Sequence, residues 1–138
     1  MLPYSRVLDQ LDGGATGCGI GLDLAPLMGV WVSTDKNTPG IARIQIRAEA
    51  GTLRLRVFGG GSPNLLSWGE VPAAAFAIGP ASTQAVAFRA DYNFSSFKGV
   101  LAAYLNKRIL VVDNYKEVQD DNGHVCCFRR DHFYEEGE

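Results

Sequence analysis

Asp113 and His132 are the residues of this chain whose types point most directly to proton transfer. A carboxylate beside an imidazole orients the ring and raises its basicity, as in general acid–base sites. Tyr92, Tyr104 and Tyr115 could each donate a hydrogen bond to a carbonyl oxygen and stabilise an enolate-like state. With Asp113, His132 and Tyr115 as the reacting groups, the set would support a cyclisation or isomerisation in a water-poor pocket, with no cofactor. The structural alternative is that Asp113 faces solvent, because a one-residue change of register inverts every side chain of a strand. His132, near the C-terminus, is then a rim residue.

Other residues invite chemistry with less support. Arg43, Arg47, Arg54 and Arg56 could bind a carboxylate if they faced inward, but an ordinary solvated outer face is favoured, since buried arginines are rare unless paired. The three cysteines, Cys18, Cys126 and Cys127, show no Cys/His/Asn nucleophile pattern and no C-x-x-C spacing, so no metal site is expected. Cys126 and Cys127 are neighbours in a predicted strand and point to opposite faces. Gly17-x-Gly19-x-Gly21 lacks the strand before and helix after that a nucleotide loop needs. Asp120-Asp121-Asn122-Gly123 has no Glu at the spacing that closes a calcium loop, and reads as a turn. No Ser nucleophile elbow, P-loop or zinc motif is present.

The elements that must position these residues are strands. Asp23 to Met28 reads as one short helical turn, capped by Asp23 and tolerant of Pro26, which Gly29 ends. Strand runs follow at Val30–Thr34, Ile41–Arg47, Thr52–Phe58, Leu65–Val71, Ala74–Ile78, Gln84–Phe94, Gly99–Leu105, Arg108–Val118 and His124–Tyr134. The two runs around Trp68 are short and weak. Leu53, Leu55 and Val57 should face the core and Arg54 and Arg56 away from it. Turns fall at Asn37–Gly40, Glu49–Gly51, Asn106-Lys107 and Asn122-Gly123. About eight antiparallel strands in sequence leave two open edges, which closure into an up-and-down barrel removes.

Taking the more apolar face of each strand as internal lines the barrel with Phe88, Tyr92, Phe94, Tyr104, Ile109, Val111, Asp113 and Tyr115. Cys126, Phe128, Arg130, His132 and Tyr134 would come from the last strand. With Trp68, the ligand-binding candidates are then Phe88, Tyr92, Tyr104, Phe128 and Arg130. Such a surface suits a small apolar or aromatic molecule with one or two polar handles. Val100–Leu105 and Ile109–Val112 are apolar on both faces, whereas a strand facing water should alternate. Something should cover the outside there, either the N-terminal arm or a second copy in a homodimer.

The 138 residues are enough for one domain, here residues 23–138, after a glycine-rich arm over 1–22. Net charge is −2 and no Lys/Arg block occurs, which argues against nucleic acid or an anionic membrane as partner. No apolar run is long enough to span a bilayer. An odd cysteine count and a start without a basic region and apolar core fit a reduced, cytoplasmic protein.

Leu24 to Val32, a short turn followed by Gly29-x-Trp31, resembles the first signature of the lipocalins and their calycin relatives. The resemblance implies that Trp31 closes one barrel end and that a late arginine, Arg129 or Arg130, packs across its indole as a cation–π contact. Ala90-Asp91-Tyr92 resembles the second signature, with Ala in place of Thr. Gly29 to Tyr134 is also similar to small lipocalin-like bacterial proteins, through Gly29-x-Trp31, the Asn37–Gly40 turn, Ser62-Pro63, Trp68-Gly69-Glu70-Val71 and the last hairpin. That group has cysteines flanking the Pro-containing loop, where this chain has Gly and Leu. The resemblance implies a container for a small apolar molecule. An enzyme using the same cavity, a cofactor-free cyclase or isomerase of a natural-product pathway, is the rival expectation. A filled barrel acting as an interaction module is the third.

Overall fold

A computed structural model describes residues 21–60, 66–93, 97–120 and 123–137. The glycine run with Cys18, Ser62-Pro63, Phe94 and Asn122 fall outside the described residues.

The protein is a closed antiparallel barrel in which each strand pairs with the next and the last pairs with the first. The strands are β1 (Gly29–Ser33), β2 (Ile41–Glu49), β3 (Thr52–Gly59), β4 (Leu66–Ala77), β5 (Ala85–Asn93), β6 (Phe97–Asn106), β7 (Ile109–Asp120) and β8 (Gly123–Glu135). Closure runs through Trp31 opposite Glu135, Val32 opposite Tyr134 and Ser33 opposite Phe133. The two weak runs around Trp68 are one strand, β4, which carries Pro72 in its middle. The β4–β5 ladder begins only at Ala74, so Pro72 lies where β4 is paired on its β3 side. A residue without an N–H is tolerated at such an edge-like position.

The core follows the period of two. Leu53, Leu55 and Val57 are buried, and Arg54 and Arg56 lie on the opposite face of β3. Ile44, Ile46, Phe88, Leu101, Leu110, Val112 and Phe133 complete the packed centre. The outer arginines are held by acids: Arg47 reaches Glu70 and Glu49 at 2.8 Å, and Arg43 reaches Glu136 at 2.7 Å.

The up-and-down order gives the barrel two ends, a plugged one and the one opposite it, here called the open end. The plug is the 3-10 turn Ala25–Leu27, with Asp23 Oδ1 accepting from the Ala25 N–H at 3.1 Å. Trp31 is buried against the plug, and its indole Nε1 donates to the Leu27 carbonyl at 3.0 Å. Gly29 has φ +129°, and a Cβ there would lie 2.8 Å from Glu135 Oε2. The left-handed φ favours glycine at the strand's start, while the nearby carboxylate is the end of a flexible side chain.

The arginine expected over Trp31 is not Arg129 or Arg130. Arg129 is bound to Asp131 and Thr38, and Arg130 to Asp113. Arg108 is the arginine that shares a surroundings with Trp31: both line a cleft of about 510 Å³ outside the plug, with Pro26, Leu105, Ile109 and Tyr134. The β6–β7 turn holds Lys107 and Arg108, one residue later than expected, both at positive φ.

Candidate functional site at the open barrel end

The faces of β6, β7 and β8 are the reverse of the sequence expectation. Leu101, Asn114 and Arg129 form one cross-strand row, and Ala103, Val112 and Asp131 the next. Leu101, Ala103 and Val112 belong to the core, so these rows point inward. Phe88 and Tyr92 point inward as expected. Tyr104, Ile109, Val111, Asp113, Tyr115, Cys126, Phe128, Arg130, His132 and Tyr134 alternate with the inward rows and stand on the outside. Tyr104, Tyr115, Phe128 and Tyr134 are 42–54% exposed.

The reason is volume and end polarity. An eight-stranded barrel has an interior just wide enough for side chains or one small ligand. Past Phe97, the inward positions of β6 are small or aliphatic, with Gly99, Leu101, Ala103 and Leu105, while Tyr104, Tyr115, Phe128 and Tyr134 sit outside. Near the open end the inward face turns polar with Asn114, Lys116, Arg129 and Asp131. Choosing the more apolar face as internal fails where the outer face is apolar too.

The inward residues of the open end converge on an aromatic cluster. Trp68 stands edge-on to Tyr92, with ring centroids 5.5 Å apart and planes at 84°. It meets Phe97 in the same way at 5.2 Å and 66°. Lys116 Nζ lies 4.5 Å from the Phe97 ring centre and 5.7 Å from that of Trp68. A cation over ring faces is an attractive arrangement.

The backbone explains how these side chains meet. Between Arg56, paired with Glu70, and Phe58, paired with Ser67, the register of β4 gains a residue. Gly69 lies in that interval at φ +87°. This is the signature of a bulge led by a left-handed glycine, which re-aims the neighbouring side chain. Without it, strict alternation from Val71 would put Trp68 outside; with it, Trp68 packs against the core. Gly99 lies between Tyr92 and Lys116 in one row. A Cβ on Gly99 would come within 2.6 Å of the Tyr115 carbonyl oxygen, so only glycine permits this close approach of β6 and β7.

Burial of Tyr92 pushes its phenol well above the ordinary tyrosine value, so the hydroxyl stays protonated at any physiological pH. Among the described residues Lys116 has no ion pair, and its ammonium lies over the rings. Across the opening, Arg129 Nε donates to Asp131 at 2.9 Å and its terminal nitrogen to Thr38 Oγ1 at 3.2 Å. Thr38 is buried and its hydroxyl accepts from the Gly40 N–H at 3.0 Å, so the β1–β2 loop is tied across the inner side of β8.

Asp113, His132 and Tyr115 are brought onto one surface, but on the outside. Arg130 clamps Asp113 with two bonds, at 2.6 and 3.0 Å, and holds its carboxyl below the usual range. Tyr115 packs on Phe128, with ring centres 5.1 Å apart, and the Arg130 guanidinium lies 5.9 Å from the Phe128 ring. These residues stand on the outward rows of the wall, not among the inward rows that line the barrel. Of the ligand-binding candidates, Trp68 and Tyr92 meet at the open end and Phe88 lies deeper in the core. Tyr104, Phe128 and Arg130 do not join them.

Phe97 and Lys116 were not singled out by the sequence reading. The Trp68-Gly69 pair was the available signal for the bulge, and Lys116 follows once β7 is read from Val112 and Asn114 inward. Comparison of the chain with family models, curated proteins and solved structures finds no match.

Proposed function

We propose that the open end of the barrel binds a small, largely apolar or aromatic molecule that carries one anionic or carbonyl handle. The observation that carries this reading is the convergence of Trp68, Tyr92 and Phe97 with the Lys116 ammonium, at the end opposite the plug. Ring faces supply apolar contact and Lys116 supplies a cation. The closed up-and-down barrel, the plug and the buried Trp31 of Gly29-x-Trp31 support a lipocalin-like mode of containment. A cyclase or isomerase in the same cavity would draw on Tyr92 and Lys116, not on Asp113 and His132.

The test uses two probes of similar shape, anilinonaphthalene sulfonate and the uncharged phenylnaphthylamine. Both bind saturably, and Trp68→Ala weakens both by roughly tenfold, the loss of about 1–1.5 kcal/mol of ring contact. Lys116→Met weakens the sulfonate and leaves the neutral probe unchanged. Equal binding of both probes by wild type and both variants contradicts the reading.

The outer face of β6–β8 supports a second role, contact with another copy of the chain. Tyr104, Tyr115, Phe128 and Tyr134 are exposed together around the Asp113–Arg130 pair, and Val111 is buried on that outer side, apart from the core. Three strands by four outward rows cover roughly 400 Å². That is about half of the ~800 Å² per partner in a standard interface, and fits the apolar centre of one with a polar rim. Tyr115→Glu should convert a dimer to monomer in light scattering coupled to size exclusion; a wild-type monomer at high concentration rejects this role.

A further inference from the structure

We propose that Glu117, His124 and Cys126, on the outer face of the β7–β8 hairpin, form a binding site for a divalent transition metal of the zinc class. The three residues meet because of strand geometry. Glu117 and Cys126 are direct cross-strand partners, and His124 precedes Cys126 by two residues, so all three share one face. A carboxylate oxygen, an imidazole nitrogen and the thiol sulfur lie within 4.8 Å of one another. His124 Nε2 already stands 3.0 Å from Glu117 Oε1. Ligands held about 2.0–2.3 Å from a tetrahedral metal are separated by roughly 3.3–3.8 Å, so small side-chain rotations complete the set.

The donor chemistry selects the ion. Thiolate with imidazole is too soft a pair for magnesium or calcium and suits zinc, cobalt or nickel. Three protein ligands leave a further coordination position open to water or to an anion. The hairpin holds the ligands on paired backbone, so little chain has to be ordered on binding. Cys127 points to the opposite face, beside Lys116 in the inward row, and is not part of the set. Among the described residues, Lys98 is the cation that the register pairs with Glu117 from β6, and its charge lowers cation affinity at the site. The site is separate from the aromatic cluster and does not depend on what the barrel binds.

Cobalt(II) is the probe, because a cobalt–thiolate bond adds a charge-transfer absorption that cobalt bound through nitrogen and oxygen lacks. Reduced full-length protein titrated with cobalt should develop this band to one equivalent, and added zinc should abolish it. Cys126→Ser removes the band, and His124→Ala weakens cobalt binding at least tenfold. Cys127→Ser and Cys18→Ser retain both band and stoichiometry. All of these side chains except Cys18, which lies outside the described residues, are exposed, and circular dichroism confirms that each variant keeps the strand content of wild type. Absence of the band in wild type overturns the proposal. So does a band that survives Cys126→Ser or disappears with Cys127→Ser.

Discussion

The wall formed by β6, β7 and β8 has two faces of similar apolar content and opposite fates. The inward face carries Leu101, Ala103, Leu110, Val112 and Phe133, each at most 3% exposed. The outward face carries Tyr104, Tyr115, Phe128 and Tyr134, each at least 42% exposed. Hydrophobicity therefore does not tell inside from outside here. On this wall the packed inward rows hold aliphatic groups and Phe133, and the outward rows hold Tyr104, Tyr115, Phe128 and Tyr134. What the inward face keeps of the larger chemistry is collected at the open end.

The contrast can be broken most strongly with a charge. Val112→Asp places a carboxylate in the packed centre and should cost several kcal/mol, comparable to the whole stability of a small domain (about 5–15 kcal/mol). Val100→Asp, on the outer face of the adjoining strand, should leave urea unfolding of the monomer nearly unchanged. Equal destabilisation would mean that the faces are misassigned.

Truncating a ring on each face gives the next effect. Phe133→Ala should lose about 3–5 kcal/mol through lost burial and the cavity left behind. Phe128→Ala should stay within about 0.5 kcal/mol in urea melts of the monomer, and its cost should show instead in self-association.

A smaller effect sharpens the account of the open end. Gly99→Ala must push its methyl against the Tyr115 carbonyl and separate β6 from β7, at about 1–3 kcal/mol. The aromatic amide and ring signals of Tyr92 and Trp68 should move with it in NMR spectra. Gly137→Ala, where nothing lies within 4 Å, provides the comparison, though its φ of +93° carries its own backbone cost.

The smallest effect is electrostatic. Arg130 lowers the folded-state pKa of Asp113 below the unfolded value, so the pair contributes fully above the ordinary carboxylate range near pH 4. The contribution is lost as pH falls through the lowered folded value. Asp113→Asn should therefore reduce stability slightly at neutral pH and make no difference in strong acid, as read from melts at both pH values. A difference of equal size in acid would exclude the ion pair as its cause.

The fold was legible because alternation and turn chemistry agreed. Thr52–Phe58 showed its faces without ambiguity, since Leu and Arg alternate there. Gly29-x-Trp31 located the plugged end. The site was only partly legible. Trp68 and Tyr92 could be chosen as ring-bearing residues, but the bulge at Gly69 that turns Trp68 inward depends on a register the sequence does not display. On β6 and at the start of β7 both faces are apolar, so a two-residue period leaves the choice of face open. Asp113, His132, Tyr115, Phe128 and Arg130 share one period and so one face, which is the outer one because Leu101, Ala103 and Val112 hold the alternate, inward rows.

The most direct test of the central claim, that the molecule's binding site lies inside the open end, is fluorine NMR of protein labelled with fluorotryptophan. The chain has two tryptophans, so two resonances are expected, with Trp31→Phe identifying each. Trp31 reports the plugged end and Trp68 the open one. Saturation with anilinonaphthalene sulfonate should shift the Trp68 resonance and leave that of Trp31 in place. A shift confined to Trp31, or no shift at saturation, would contradict the account.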